Sequence, residues 1–134
     1  MILAKNNRNG KTLDPAIACL LCNRLLERWA ELEPSSHKAD SAKRWRLVKA
    51  PAMRSMIIQS LVQDEIAAKS LFLVLEYSAE DSQWNALVSR AERDGDDCKL
   101  DELGSPVWHE EPAIALLSAY VQALEVLQTK GFDS

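Results

Sequence analysis

The chain has 134 residues, of which 47% are hydrophobic and 27% charged, and its formal net charge is −4. This length fits one domain around a single apolar core. No run of about 18 uncharged apolar residues occurs, and the segment that follows Met1–Ala4 is polar, so we expect neither a membrane span nor a signal peptide. Three cysteines, an odd number, suit a reducing compartment, and we expect a cytoplasmic protein.

The first part of the chain is predicted to hold an arm and a helix. Residues 1–11 have no helical periodicity, so we expect a flexible N-terminal arm, followed by a single domain over residues 12–134. Thr12 or Asp14 can cap a first helix, whose apolar residues recur at three- and four-residue steps and end before Pro34.

The middle of the chain is predicted to be helical as well. A cation-rich second helix covers about residues 36–49, because Pro51 disfavours helical backbone at the residue before it. A third helix is predicted over residues 51–77, and it contains the run Leu71–Leu75, which is apolar on every side. A helix that is apolar all round is typical of the buried centre of a bundle.

A capping pattern predicts a fourth helix. Ser78, with Asp81 three residues later, resembles a capping box, and Gly95 can end such a helix. The apolar positions between them fit one helix face and are Trp84, Leu87, Val88 and Ala91. Residues 94–111 are then predicted to be an acidic loop, because they include the turn-forming sequence Gly-Ser-Pro.

The last helix is predicted over residues 112–130, with Pro112 in its first turn and Gly131 after its end. Together these elements predict an all-α protein, a compact bundle of about five helices. The two most apolar helices, 51–77 and 112–130, are expected to form its core.

Charge is distributed unevenly along the chain. Through Arg54 there are eleven Lys or Arg against five Asp or Glu, a net charge of +6, and the remainder has five against fifteen, a net charge of −10. Such segregation points to an interaction surface, unless the two segments interleave in the folded protein.

A zinc site is one alternative that the sequence offers. Cys19 and Cys22 have the two-residue spacing of a zinc pair, which Cys98, His37 or His109 could complete. The pair lies within the first predicted helix with leucines between the thiols, whereas zinc knuckles generally lie on tight turns. We therefore favour core packing for these cysteines and expect no metal.

Other catalytic and ligand-binding patterns fit poorly. The acidic stretch 94–102 lacks the ligand spacing of a calcium loop and is interpreted as a solvated loop. The sequence His-Glu-Glu at 109–111 could supply an acid and a base, but it precedes Pro112, where acidic residues favour a helix start. We therefore predict no catalytic residues, no cofactor and no enzymatic activity.

One cationic stretch is a candidate nucleic-acid-binding site. No acidic residue occurs between Asp40 and Asp64, and in a helix three of the cations fall at three-residue steps, on one face. Cations on one face neutralise phosphates, and an accessible Trp can stack on an unpaired base. Alternatively, Trp45 packs into the core with Val48 and the cations are simply solvated. The candidate residues are Lys43, Arg44, Trp45, Arg46, Lys49 and Arg54.

The order of these features resembles the small helical subunit of type III CRISPR effector complexes, over about residues 44–132. The first shared motifs are Arg44-Trp45, Leu47-Val48-Lys49, Pro51 and Ser60-Leu61-Val62-Gln63. The later ones are Trp84, Leu87, Tyr120, Ala123-Leu124, Leu127, Lys130 and Phe132. The chain departs from the family at Ser60, where glycine is usual, and in a longer spacing after Pro51.

The resemblance implies a non-enzymatic subunit of a ribonucleoprotein complex in antiviral defence. Its partners would be other protein subunits and single-stranded RNA or an RNA duplex, bound through backbone phosphates. We expect no membrane and no small-molecule substrate. The alternative is a protein-binding adaptor or a toxin-immunity protein, which would use the acidic C-terminal half to cover a basic target.

Overall fold

The computed structural model describes residues 15–45 and 51–129. In these residues the chain forms four helices and a four-stranded antiparallel sheet, so the predicted all-α bundle of about five helices is wrong. The helices are α1 (Pro15–Leu32), α2 (His37–Trp45), α3 (Pro51–Ala68) and α4 (Pro112–Thr129). The strands are β1 (Leu71–Ser78), β2 (Gln83–Asp94), β3 (Asp97–Glu102) and β4 (Val107–His109).

Three helices lie where the sequence predicts them. α1 and α4 both have Pro as their first residue, a position where its missing N–H costs nothing. α2 starts after Ser36, whose Oγ accepts a hydrogen bond from the N–H of Ala39 at 3.1 Å. The predicted continuation of α2 to residue 49 and the predicted arm at 1–11 lie outside the described residues.

The predicted third helix is wrong beyond Ala68. The chain turns through Lys69 and Ser70, whose φ is +57°, and then enters β1. The run Leu71–Leu75 is apolar at every position because it forms a strand whose two faces are both apolar. It is not part of a helix that is apolar all round. Burial alternates along this strand, as expected when one face packs on the core.

The predicted fourth helix is wrong throughout. Ser78 and Asp81 do interact, since the Ser78 Oγ accepts from the N–H of Asp81 at 3.3 Å and donates to its Oδ2 at 3.2 Å. These bonds close the turn between β1 and β2 and cap no helix. Leu87 and Val88, which share a face in a helix, point to opposite faces of strand β2.

The predicted acidic loop over residues 94–111 is also wrong, because it contains β3 and β4. β2 and β3 are joined by the two residues Gly95 and Asp96, and Gly95 has a φ of +67°. A positive φ at the first of two turn residues is typical of a type II′ hairpin, and glycine adopts it without strain.

The sheet has the order β1-β2-β3, and β4 pairs with the other end of β2, on the same side as β3. Register pairs such as Leu73 with Val88 and Leu75 with Ala86 point towards the helices and form the inner face. The alternate pairs, including Val74 with Leu87, form the outer face.

The core lies between the inner sheet face and the helices. α4 contacts β2 and β4 on one side and α1 and α3 on the other, so twelve of its eighteen residues are buried. Trp29 of α1 meets Tyr120 of α4 edge to face, with ring centroids 5.5 Å apart. Of the helices in the described residues, none has both the length and the apolar character needed to cross a membrane.

Candidate protein-interaction surface

The outer face of the sheet carries exposed apolar side chains. Phe72 and Val74 on β1 are 50% and 41% exposed, and Leu100 on β3 is 58% exposed. Helix α4 makes the most contacts with the sheet of any helix in the described residues, and it packs on the inner face. Single exposed apolar residues are ordinary, but a contiguous set is typical of an interaction site. The register also places polar residues such as Glu76, Asn85, Ser89 and Glu102 on this face. Its apolar residues, which we call the outer sheet face, are Phe72, Val74, Leu87, Ala91, Leu100 and Trp108.

The β2–β3 hairpin extends past the end of β1 and is strongly acidic. The ladder between β1 and β2 stops at Arg90, whereas β2 continues to Asp94. Residues 91–102 contain six acidic residues against two basic ones, a net charge of −4. Asp96 and Asp97 at the turn are exposed. We call residues 91–102 the acidic hairpin.

Arg90 lies at the base of the acidic hairpin. Its Nη2 is 3.4 Å from the Oδ2 of Asp101, its cross-strand neighbour, and 3.3 Å from the Oε1 of Glu92. These ion pairs are partly exposed, so each contributes little to stability. They neutralise part of the charge at the base and leave the acidic residues of the turn available to a partner.

The predicted nucleic-acid-binding residues are not placed by the structure. Arg46 and Lys49 lie outside the described residues, and so do the side chains of the four other candidates. Of those four, Lys43, Arg44 and Trp45 are at the end of α2, and Arg54 is in the first turn of α3. The alternative packing of Trp45 with Val48 also lies outside the described residues. Both interpretations of this segment stay predictions.

Of the residues considered for a zinc site, Cys19 and Cys22 share helix α1, whereas Cys98, His37 and His109 lie on three other elements. Cys22 is buried in α1, whereas Cys98 is exposed on β3. His37 starts α2 and is exposed, and His109 is buried in β4. In the part of the chain that the structure describes, no group of three or more His, Cys, Asp or Glu side chains is arranged to hold a metal ion.

His109 has a structural part in starting α4. Its Nδ1 accepts a hydrogen bond from the N–H of Glu111 at 3.0 Å, so the proton of the neutral ring is on Nε2. That Nε2 is buried and has no hydrogen-bond partner among the described residues. Burial lowers the pKa of His109, and the nearby Glu110 offsets this only in part. The expected helix start at 109–111 thus uses the imidazole as a cap.

The most concentrated group of polar side chains lies around Glu33, at the C-terminal end of α1. Its Oε1 accepts hydrogen bonds from the Trp29 Nε1 at 2.9 Å and from the Tyr120 hydroxyl at 2.8 Å. Its Oε2 is 2.8 Å from the Nζ of Lys69, which is also 3.2 Å from Glu65. The Lys69 ammonium lies 5.7 Å from the centre of the Tyr120 ring. We call these five residues the Glu33 cluster.

The pKa shifts in the Glu33 cluster have clear physical causes. Burial would raise the pKa of Glu33, but hydrogen bonds from Lys69, Trp29 and Tyr120 outweigh it and lower that pKa. Burial would lower the pKa of Lys69, but its bonds to Glu33 and Glu65 raise it. Burial and the bond to Glu33 raise the pKa of Tyr120. Because these groups satisfy one another, we interpret the cluster as a structural tie between α1, α3 and α4.

Comparisons of the chain with protein families, curated proteins and solved structures found no match. They therefore do not test the resemblance to the small subunit of type III CRISPR effector complexes, which stays a prediction. Two of its motif positions, Trp84 and Leu87, lie on β2 and not on a helix.

Sequence reasoning missed the outer sheet face, although one signal for it was present. Gly95 and Asp96 form a Gly-Asp pair, which is typical of the turn of a tight hairpin. Polar and apolar residues flank this pair on both sides. Interpreting Gly95 as a helix end concealed this signal. The acidic character of residues 94–102 was recognised, but its place on a projecting hairpin beside apolar residues was not.

Proposed function

We propose that this protein is a non-enzymatic binding protein of the cytoplasm that covers a basic surface of a protein partner. Its contact surface would combine the acidic hairpin with the adjoining outer sheet face. An adaptor or a toxin-immunity protein is the kind of protein that fits this description.

The observation that carries the proposal is the position of Leu100. This exposed leucine lies on β3 within the acidic hairpin and belongs to the outer sheet face. Charge of one sign attracts and orients an oppositely charged partner, whereas apolar contact supplies most of the affinity. A central apolar region with charged residues around it is the usual composition of a protein interface.

The test is a pull-down with the tagged full chain from its host, with and without nuclease. The double variant Asp96→Asn/Asp97→Asn removes charge from the turn of the hairpin, where both side chains are exposed. The matched control Asp64→Asn/Glu80→Gln removes the same charge from exposed positions elsewhere. We expect one stoichiometric protein partner that survives nuclease, with recovery reduced about tenfold by the hairpin variant only, equivalent to about 1.4 kcal/mol.

Two results would contradict this proposal. Equal recovery of the partner by the hairpin variant and the control would show that the acidic hairpin is not the contact surface. Recovery of RNA together with several proteins, lost on nuclease treatment, would favour a nucleic-acid-binding subunit.

That second function has one observation in its favour, the stretch between Asp40 and Asp64 with five cations and no acidic residue. Lys43, Arg46 and Lys49 would contact backbone phosphates there. The triple charge reversal of these residues is expected to abolish RNA binding in a mobility-shift assay at low salt. Unchanged RNA binding by that variant would exclude this surface.

A further inference from the structure

Strand β1 is an open edge of the sheet. Among the described residues its backbone pairs only with β2, so the N–H and C=O groups along its other side have no strand partner there. Proteins usually protect such edges with a lysine, a proline, a bulge or a very short strand. β1 has eight residues in unbroken register, contains no Pro or Lys, and carries one charge, at Glu76.

Apolar side chains lie on both faces of this strand. Besides Phe72 and Val74 on the outer face, Tyr77 on the inner face is 52% exposed. Leu71, Leu73 and Leu75 pack against the core and are still only half-buried. These leucines border the open edge, where another strand would complete their burial.

We propose that β1 pairs antiparallel with β1 of a second copy of this chain, which joins the two sheets into one sheet of eight strands. A two-fold axis perpendicular to the sheet would relate the copies and keep the helices of both on the same side. A contact of this kind is self-complementary, which is the commonest arrangement of homodimers.

The position of the axis follows from the ends of the strand. The Ser78 side chain is held in the turn by its bonds with Asp81, so we take Leu71–Tyr77, the part of β1 before the turn, as the segment that pairs. The midpoint of that stretch is Val74, so Val74 would face its own copy across the axis. In this register each residue faces the residue of the second copy that is equally far from Val74 on its other side. Outer-face residues then lie opposite outer-face residues, as an antiparallel ladder requires.

This register also places the single charge favourably. Glu76 would face Phe72 of the second copy and not Glu76, so no like charges are opposed. On the inner face, Leu73 would face Leu75 and Leu71 would face Tyr77. Every directly opposed pair then contains at least one apolar or aromatic side chain.

The size of the contact sets its strength. Seven paired residues span about 24 Å and form about six to eight hydrogen bonds between the copies. A strip of that length and about 10 Å width covers roughly 500 Å² over both copies, below the roughly 1,200 Å² typical of stable interfaces. We therefore expect a reversible dimer with a dissociation constant in the micromolar range.

The test is the mass of the full chain in solution, measured by light scattering from about 10 to about 300 µM under reducing conditions, since Cys98 is exposed. We expect the mass to rise with concentration from 15.0 kDa towards twice that value. Val74→Lys is expected to keep the chain monomeric, because two lysines would face each other. Val74→Glu should do the same, and mixing the two variants should restore the dimer.

Leu100→Lys is the matched control, since it places the same charge on the outer sheet face but on β3. Circular dichroism melts would verify that all variants are folded. A monomer over the whole concentration range would overturn the proposal, whatever else occupies the β1 edge. Loss of the dimer with Leu100→Lys but not with Val74→Lys would also overturn it, because the copies would then contact through the outer face. Failure of the mixed variants to associate would refute the axis at Val74.

Discussion

Glu33→Gln is expected to destabilise the fold more than other charge removals at the end of α1. The substitution keeps the size of the side chain but removes its negative charge and replaces the oxygen facing Lys69 with an NH2 group, which cannot accept a hydrogen bond. The pair between Glu33 and Lys69 is about 80% buried on both sides, since the side chains are 20% and 19% exposed. It is therefore only partly screened by water.

The magnitude follows from the bonds that are lost. A hydrogen bond to a charged group contributes about 1.5 to 3 kcal/mol, and Lys69 retains Glu65 as a partner, which limits the loss. We expect Glu33→Gln to lower the free energy of unfolding by about 2 kcal/mol at pH 7. Tyr120→Phe removes one donor but keeps the edge-to-face contact with Trp29, so about 1 kcal/mol is expected.

The assay is urea denaturation of the two single variants and the double variant. Because Tyr120 donates to Glu33, the loss from Tyr120→Phe should be smaller by about 0.5 to 1 kcal/mol in the Glu33→Gln background. The control is Glu31→Gln, whose pair with Arg28 is exposed and should contribute less than about 0.5 kcal/mol. Equal effects at Glu31 and Glu33, or additive effects of Tyr120→Phe, would refute the interpretation of the cluster as a coupled tie.

The pH dependence of this variant has a defined sign. A lowered pKa at Glu33 stabilises the fold above the unfolded value of 4.5, and this stability is lost as the pH falls. A raised pKa at Lys69 stabilises the fold below 10.5, and this stability is lost as the pH rises further. The difference between Glu33→Gln and the wild type should therefore be largest between these two values.

Two further predictions concern the connection from β3 to α4. Burial lowers the pKa of His109 in the folded chain. Below about pH 6.5 the unfolded chain therefore binds a proton at this residue more readily than the folded chain does. The free energy of unfolding should fall by up to about 1.4 kcal/mol per pH unit as the pH is lowered. His109→Asn keeps an acceptor for the Glu111 N–H and should flatten this slope in urea titrations between pH 5.5 and 7; an unchanged slope would assign it to another group. Gly104 has a φ of +114°, and an added Cβ would fall inside contact distance of the Gln122 side chain, so Gly104→Ala should cost about 1 to 3 kcal/mol. Gln122→Ala loses the hydrogen bond to the Ser105 carbonyl, so the comparison is made within that background, where Gly104→Ala should cost less because the clash is absent. A thermal melt of Gly104→Ala like that of the wild type would contradict this account.

The sequence predicted the ends of the chain's fold better than its middle. α1 and α4 each begin with a proline and have apolar residues at steps of three and four. These are local signals, and the structure confirms both helices. The run Leu71–Leu75 carries no such information, because a short apolar stretch fits a buried helix and a strand equally well. The pairing of β1 with β2 makes this stretch a strand. That pairing is a contact between separate segments, which composition and spacing do not reveal.

The acidic charge of the candidate interaction surface could be predicted from the sequence, but its position on a β-sheet could not. The acidic stretch 94–102 was identified from composition, and its role in binding a basic partner was kept as an alternative. The spacing of Trp84, Leu87 and Val88 fits a helix face by coincidence, and this interpretation hid the outer sheet face, to which Leu87 belongs. A strand gives these three residues alternating faces, so its apolar surface cannot be found with a helical period.

The acidic hairpin and strand β1 lie at opposite edges of one sheet, and they differ in charge. A two-layer fold with helices on one face leaves the other face of its sheet open. At the hairpin edge, a second copy would bring together two segments with a net charge of −4 each, which repel each other and favour a basic partner. At the β1 edge, the single charge of Glu76 can avoid its own copy, so self-pairing is permitted there. A dimer formed through β1 would thus keep both acidic hairpins free, and a partner with two basic sites could bind them together with added avidity.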